Sequence, residues 1–180
     1  MTKNRNVVLF IATSLDGYIA TEEERLEWLF EVEGEGDNGF SDFYSTIDTV
    51  IMGRKTYDWI ANVDNMEEYP YKDKKGFVLT RSSMKNDDYT TFGNPDLEQL
   101  ISQLKEQDGK KIWLVGGGQL VTAFLEKGLI DEVFITVAPT IIGKGIPLFN
   151  PGEYQSKLQL EGVKTFNQFV ELHYTVKKNI

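Results

Sequence analysis

The chain contains no cysteine and only one histidine, His173. The first absence excludes thiolate catalysis, a disulfide framework and any cysteine-ligated metal. With one histidine, a zinc site would need three carboxylates, so no metal is expected. Basic residues are also few, 19 Lys+Arg against 28 Asp+Glu, for a net charge of −9. Nucleic acid and anionic membrane surfaces both call for a basic footprint, so neither is expected as a partner. No apolar run approaches the ~20 residues of a membrane-spanning helix. The start, Met1-Thr-Lys-Asn-Arg-Asn6, runs into a strand-like segment without a cleavage pattern, and a cytoplasmic protein is expected. An acidic protein can still hold a small anion where a helix N-terminus and one or two cations meet.

What the chain does have is 180 residues, 41% of them hydrophobic, 12% aromatic and 26% charged. That composition suits one soluble domain, expected over 1–180 with its core at about 6–176. Continuous apolar runs predict buried strands at Val7–Ala12, Thr49–Met52, Phe77–Thr80, Lys111–Val115 and Glu132–Ala138, with a shorter one at Tyr89–Phe92. Weak helical spacing covers Glu22–Val32, and a short helix is expected over Phe40–Ile47 after the Gly34–Gly39 loop. A further helix is expected over Thr56–Ile60, and the stretch Asn62–Lys75 has no clear period. Asn94 reads as an N-cap with Pro95 at the first helical position, opening a helix whose stripe is Leu97, Leu100, Ile101 and Leu104. Asp108-Gly109 stops it, and another helix runs from Gly118 to Lys127 before Gly128. Leu158–Phe166 and Phe169–Lys177 read as a terminal β-hairpin, with Glu171, His173 and Thr175 on a polar face that puts His173 at the surface. Strands alternating with helices imply an α/β fold: a mainly parallel central sheet, helices on both faces, and a C-terminal antiparallel hairpin.

Three strand ends carry anion-binding chemistry. Gly116-Gly117-Gly118 closes one buried strand and opens a helix, where glycine lets a backbone approach a ligand and free N–H groups face an anion. The turn is neither a P-loop nor G-x-G-x-x-G, since Gln119-Leu120-Val121 follows. Gly53-Arg54-Lys55-Thr56 repeats the strand–glycine–helix pattern with two cations, and Leu79-Thr80-Arg81-Ser82 ends a third strand with a cation and hydroxyls. A dinucleotide with an extra phosphate would use all three.

Val50-Ile-Met-Gly-Arg-Lys-Thr-Tyr57, Leu79-Thr-Arg-Ser82 and Trp113-Leu-Val-Gly-Gly-Gly-Gln-Leu120 resemble the three NADPH-contacting segments of dihydrofolate reductase, in order and at similar spacing. Ala12-Thr-Ser-Leu-Asp-Gly-Tyr-Ile-Ala20 and Val137–Phe149 are closer to the reductase domain of riboflavin biosynthesis, a relative of the same fold. The chain thus resembles the dihydrofolate reductase-like family over essentially its whole length. The resemblance implies NADPH as cofactor, with Arg54 and Arg81 beside the adenosine 2′-phosphate and Thr56 and Gly116–Gln119 along the diphosphate. Ala12 and the Ser14–Ile19 loop, with Asp16 and Ile19, would flank the nicotinamide. Gly53, Lys55, Thr80, Ser82, Val115, Gly117, Gly118 and Leu120 complete the implied cofactor set. Thr136 would face the substrate, Ser14, Trp28 and Phe43 would bind it, and Asp42 or Asp37 would be the acid. The implied reaction is hydride transfer to a C=N or C=O bond of a small heterocycle, either the ribosylated pyrimidine of riboflavin biosynthesis or a pterin. The resemblance also implies a homodimer. The competing reading is a cofactor-binding sensor without turnover.

Overall fold

A computed structural model describes residues 5–63 and 68–178. Residues 1–4, 64–67, within the aperiodic stretch, and 179–180 lie outside it. In chain order the elements are β1 (Val7–Thr13), β2 (Tyr18–Ala20), α1 (Glu27–Phe30), α2 (Phe40–Tyr44), β3 (Ile47–Gly53), α3 (Arg54–Ala61), β4 (Lys75–Leu79) and β5 (Thr90–Gly93). There follow α4 (Leu97–Glu106), β6 (Lys111–Gly116), α5 (Gly118–Glu126), β7 (Glu132–Val137), β8 (Ile146–Pro147), β9 (Lys157–Phe166) and β10 (Phe169–Lys177).

Eight strands form one sheet in the order β5-β4-β3-β6-β1-β7-β10-β9. The first six run parallel, and the terminal hairpin closes one edge antiparallel. This is the α/β architecture expected from the alternation of runs. Side chains alternate across each strand, so Val7, Leu9, Ile112 and Leu114 pack under α4 and α5, with Leu104, Val121 and Phe124 from those helices. Val8, Val50, Met52 and Trp113 face the other way, against Phe43 of α2 and Ile60 of α3.

Three boundaries differ from the sequence reading. Glu24 has φ 62, and Thr21 and Arg25 bond across that turn, so the first helix shrinks to the four residues of α1. The hydroxyls of Ser45 and Thr46 bond the carbonyls of Asp42 and Phe43, α2 ends at Tyr44, and Ile47 already pairs with Lys111 in the sheet. The cap of α4 is Asp96, whose carboxylate accepts the Gln99 N–H at 2.9 Å, not Asn94. The two-stranded β2–β8 sheet was not anticipated.

Gly109 has a different role from a helix stop. A Cβ there would lie 2.6 Å from Asp48 Oδ2 and 2.8 Å from Arg5 Cζ. The residue makes room for a buried guanidinium: Arg5, 4% exposed, donates to the carbonyls of Lys110 (2.7 Å) and Leu104 (3.2 Å), to Thr49 Oγ1 (2.8 Å) and to Asp48.

On the hairpin edge a bulge falls between His173 and Tyr174, where Leu160 pairs with Tyr174 and Gly162 with His173. The extra residue restores the alternation, so Leu158, Leu160 and Val163 share one face with Leu172, Tyr174 and Val176. The three β9 side chains are exposed.

Candidate active site

In open parallel sheets ligands bind beyond the carboxyl ends of strands whose connections leave in opposite directions. Here that point lies between β3 and β6. The chain leaves β3 through α3 toward β4, and leaves β6 through α5, crossing β1 to reach β7. Both turns are the glycine turns singled out in the sequence.

They touch directly. Gly117 N–H donates to Thr56 Oγ1 at 3.1 Å. Gly116 has φ 128 and Gly117 φ 38, backbone states open to glycine and costly for other residues. Neither α3 nor α5 has a side-chain cap at its N-terminus, whereas α4, placed elsewhere, does. Two helix starts with uncapped first-turn amides thus sit side by side, a geometry suited to a diphosphate. The third glycine answers to the protein's own chain: a Cβ at Gly118 would lie 2.5 Å from the Pro147 carbonyl oxygen of β8.

The expected cofactor residues separate into three groups. Gly53, Thr56, Gly116 and Gly117 form the joined turns, and Gln119 is exposed beside them. The cations are differently placed: Arg54 is half-buried and held by Asp58 at 2.7 Å and by the Met84 sulfur, Lys55 is nearly fully exposed 3.9 Å from Glu24, and Arg81 is exposed. Thr80 Oγ1 accepts the Ser82 N–H, a local turn at the end of β4. Leu120 and Ile19 are partly buried, packed against the core beneath α4 and α5. Val115 packs on the opposite core, with Trp113.

Asp16 also differs from its expected role. Its carboxylate accepts from Ser14 Oγ (2.6 Å) and the amides of Gly143 (2.8 Å) and Ile142 (3.3 Å), tying the loop after β1 to the loop after β7. Those bonds, the Ser14 hydroxyl first and then the amides against some desolvation, hold its pKa below the usual aspartate value. Since the folded pKa is the lower one, the tie contributes above the ordinary aspartate pKa and is lost as pH falls through the depressed value. Asp16→Asn should therefore speed hydrogen exchange at the Ile142 and Gly143 amides at neutral pH, and wild-type protein should show the same loosening in acid; unchanged exchange in the variant would refute the tie.

A cleft of about 390 Å³ opens over the carboxyl ends of β1 and β7. Its floor is Phe10, Ala12, Thr136 and Phe169, and its wall is the segment from Leu29 to Phe40. Thr136 and Ala12, expected to face the substrate and the nicotinamide, both line it. Asp37 lines it too, but its carboxylate accepts the Gly39 and Ser41 amides at the start of α2, and bonds from Ser41 and Gly39 keep it below the usual range, an anion and a poor acid at neutral pH. The other candidate acid, Asp42, is exposed on α2 and is not part of the cleft.

The expected substrate residues are corrected likewise. Ser14 is buried, with its hydroxyl used by Asp16 and the Tyr18 amide. Phe43 is core, stacked on Phe10 with centroids 4.0 Å apart and edge-on to Trp113. Trp28 donates to the Arg25 carbonyl, while its neighbours Leu29 and Phe30 reach the cleft. His173 is partly exposed rather than fully at the surface: its ring stacks on Phe134 at 3.9 Å and Nε2 lies 3.2 Å from Glu132.

The sequence matches the RibD C-terminal domain family over residues 5–172. The chain belongs to that family. It is 47% identical over 171 residues to the uncharacterized protein YwjB of Bacillus subtilis, a match covering 94% of this chain and 97% of the relative. Among solved structures, a putative riboflavin biosynthesis protein from Shewanella sp. PV-4 superposes with a TM-score of 0.86 at 30% identity, over 96% of this chain and 99% of the other. Dihydrofolate reductase from Enterococcus faecalis, solved with NADP(H) and RAB-propyl, superposes with a TM-score of 0.64 at 13% identity, over 96% and 97%, a likeness of fold. RibD-type membership relates the chain to the riboflavin biosynthesis reductases. No helix among the described residues is long and apolar enough to cross a membrane.

Proposed function

We propose that the protein is an NADPH-dependent reductase of a small heterocycle, a pyrimidine of the riboflavin pathway or a pterin. The observation that carries the reading is the junction of two uncapped helix starts through Thr56 and Gly117, on the sheet whose β1 and β7 ends floor an aromatic cleft. The residues suit a dinucleotide: open amides for the diphosphate, two positive-φ glycines where it passes, and Arg54 and Arg81 on the same sheet edge for a 2′-phosphate. Phe10 and Phe40 suit a flat ring in the cleft. The bound cofactor would supply the hydride. The chain's task is to hold both reactants in register, which can lower the barrier by ~7–11 kcal/mol.

Fluorescence titration, following energy transfer from tryptophan to reduced nicotinamide, should show saturable binding of NADPH over NADH. The preference should narrow in Arg81→Ala by about tenfold, the worth of one charge-assisted contact of roughly 1.4 kcal/mol. Absence of binding by either nucleotide would end the reductase reading. Binding without oxidation of NADPH in the presence of either heterocycle would favour the sensor.

We further infer a homodimer built on the exposed apolar face of β9, where Leu158, Leu160 and Val163 lie together at a sheet edge. A monomer in sedimentation equilibrium at micromolar concentration would refute it.

A further inference from the structure

The hairpin's supposed polar face holds two carboxyl groups with opposite fates. Glu132, Phe134 and Thr136 of β7 point to one side of the sheet, paired with Thr175, His173 and Glu171 of β10. At the amino end Glu132 is fully engaged, by Asn6 (2.6 Å), Lys111 (2.9 Å) and His173 (3.2 Å). Burial raises its pKa, but these partners outweigh burial and hold it below the usual glutamate range. It is a structural anion at the sheet end opposite the cleft.

Glu171 is only 5% exposed and has no hydrogen-bond or ion-pair partner among the described residues. A buried carboxyl is costly to leave unpaired. The residue adjoins the cleft rather than lining it, set between two residues that do line it: Phe169, two positions earlier on the same face, and Thr136, its cross-strand partner. Its oxygens are not sealed, since Thr90 Oγ1 is the only fully enclosed unpartnered side-chain atom among the described residues. Its cross-strand neighbours are Thr136 on β7 and Lys164 on β9.

We propose that Glu171 is the proton donor of this cleft, giving a proton to the ring nitrogen or carbonyl oxygen of the heterocycle while Thr136 Oγ1 shares that atom; the proposal rests on the reductase reading above. Desolvation raises the Glu171 pKa, against weaker opposing effects of Lys164 on β9 and His173 on β10. The other charged groups of the covering segment, Glu33, Glu35 and Asp37, are exposed to solvent. In reduction of a C=N bond, the carbon takes up the hydride supplied by NADPH, the π pair moves to nitrogen, and Glu171 transfers its proton there. Water then returns a proton to the carboxylate. Asp37 lines the cleft but is held as an anion by the Ser41 and Gly39 bonds, and Asp42 lies outside the cleft.

The test compares wild type, Glu171→Gln and Glu171→Asp. In the ligand-free protein labelled with carboxyl-13C glutamate, the NMR signal missing from Glu171→Gln should titrate above the ordinary glutamate range and shift when folate or 5,6-diaminouracil is added. NADPH titration should give the same affinity in all three proteins. Single-turnover reduction of dihydrofolate or 5-amino-6-(5-phosphoribosylamino)uracil should fall ~10²–10⁴-fold in Glu171→Gln, with partial rescue in Glu171→Asp. Wild-type rate should decline as pH rises through the Glu171 pKa, and Glu171→Gln should lose that limb. A Glu171 signal in the ordinary range, or an unchanged pH–rate profile, would overturn the proposal and leave the reductase reading intact. Wild type that binds no NADPH would overturn both. If NADPH binds and neither heterocycle is reduced, the carboxyl titration and its response to the two ring probes decide.

Discussion

Gly117→Val is expected to weaken NADPH binding by roughly 30-fold or more, with the fold retained. A side chain at φ 38 and ψ 148 is in a region used almost only by glycine, at a cost of about 1–3 kcal/mol. The new Cβ would also lie 3.4 Å from Thr56 Oγ1, the atom that accepts the Gly117 N–H. Relief requires the two glycine turns to move apart, which misplaces both helix starts. At about 1.4 kcal/mol per tenfold, some 2 kcal/mol of misplacement gives the stated loss. Gly118→Ala is the matched control. Its Cβ collides with the Pro147 carbonyl, so its cost of about 1–3 kcal/mol should appear first as a lower Tm. Equal nucleotide affinity in wild type and Gly117→Val, by the same fluorescence titration, would show that the turn is not part of a dinucleotide site.

The largest effect on stability is expected at Arg5. Arg5→Ala removes four donors from a cage formed by Asp48, Thr49 and the carbonyls of Leu104 and Lys110, and leaves the Asp48 carboxylate without its cation. The guanidinium is buried but the Asp48 side chain is 39% exposed, so the loss falls below the ~3–5 kcal/mol of a fully buried pair, at roughly 2–3 kcal/mol. For a domain of this size that corresponds to a Tm lower by roughly 6–10 °C. Arg5→Lys should recover little, because one ammonium cannot reach acceptors spread around a planar fork. Calorimetry decides it, and a drop of only a degree or two would mean that water replaces the guanidinium. The cage joins the entry to β1, the end of α4 and the starts of β3 and β6, so the loss should not be confined to the N-terminus.

Elements whose cause is local were legible in the sequence. The buried strands show as apolar runs, and α4 and α5 as stripes ending near glycine. Gly116–Gly118 stood out as three glycines in a row, but residue type did not say that Gly116 and Gly117 take positive φ and Gly118 does not. What could not be read depends on partners far along the chain. β2 and β8 have three and two residues and exist only because they meet across more than a hundred positions. Gly118 and Gly109 look like turn residues and are spacers against Pro147 and Arg5. Trp28 and Phe43 were placed in the substrate pocket by resemblance, but helices of four and five residues set no side-chain direction in advance, and Leu29, Phe30 and Phe40 reach the cleft instead. Glu171 escaped notice because alternation distinguishes two faces of a strand without saying what covers each. The segment from Leu29 to Phe40 covers the cleft end of this one.

That segment bears on how such a protein diversifies. The nucleotide end of the site is built from strand termini and helix starts, whose geometry is bound into the sheet. The opposing wall comes from residues 29–40, mostly irregular backbone held by short-range turns and by the capping carboxylate of Asp37. Insertions and exchanges there can recut the mould for a new ring without disturbing the glycine turns, so one lineage could retain its reductant while exploring many acceptors.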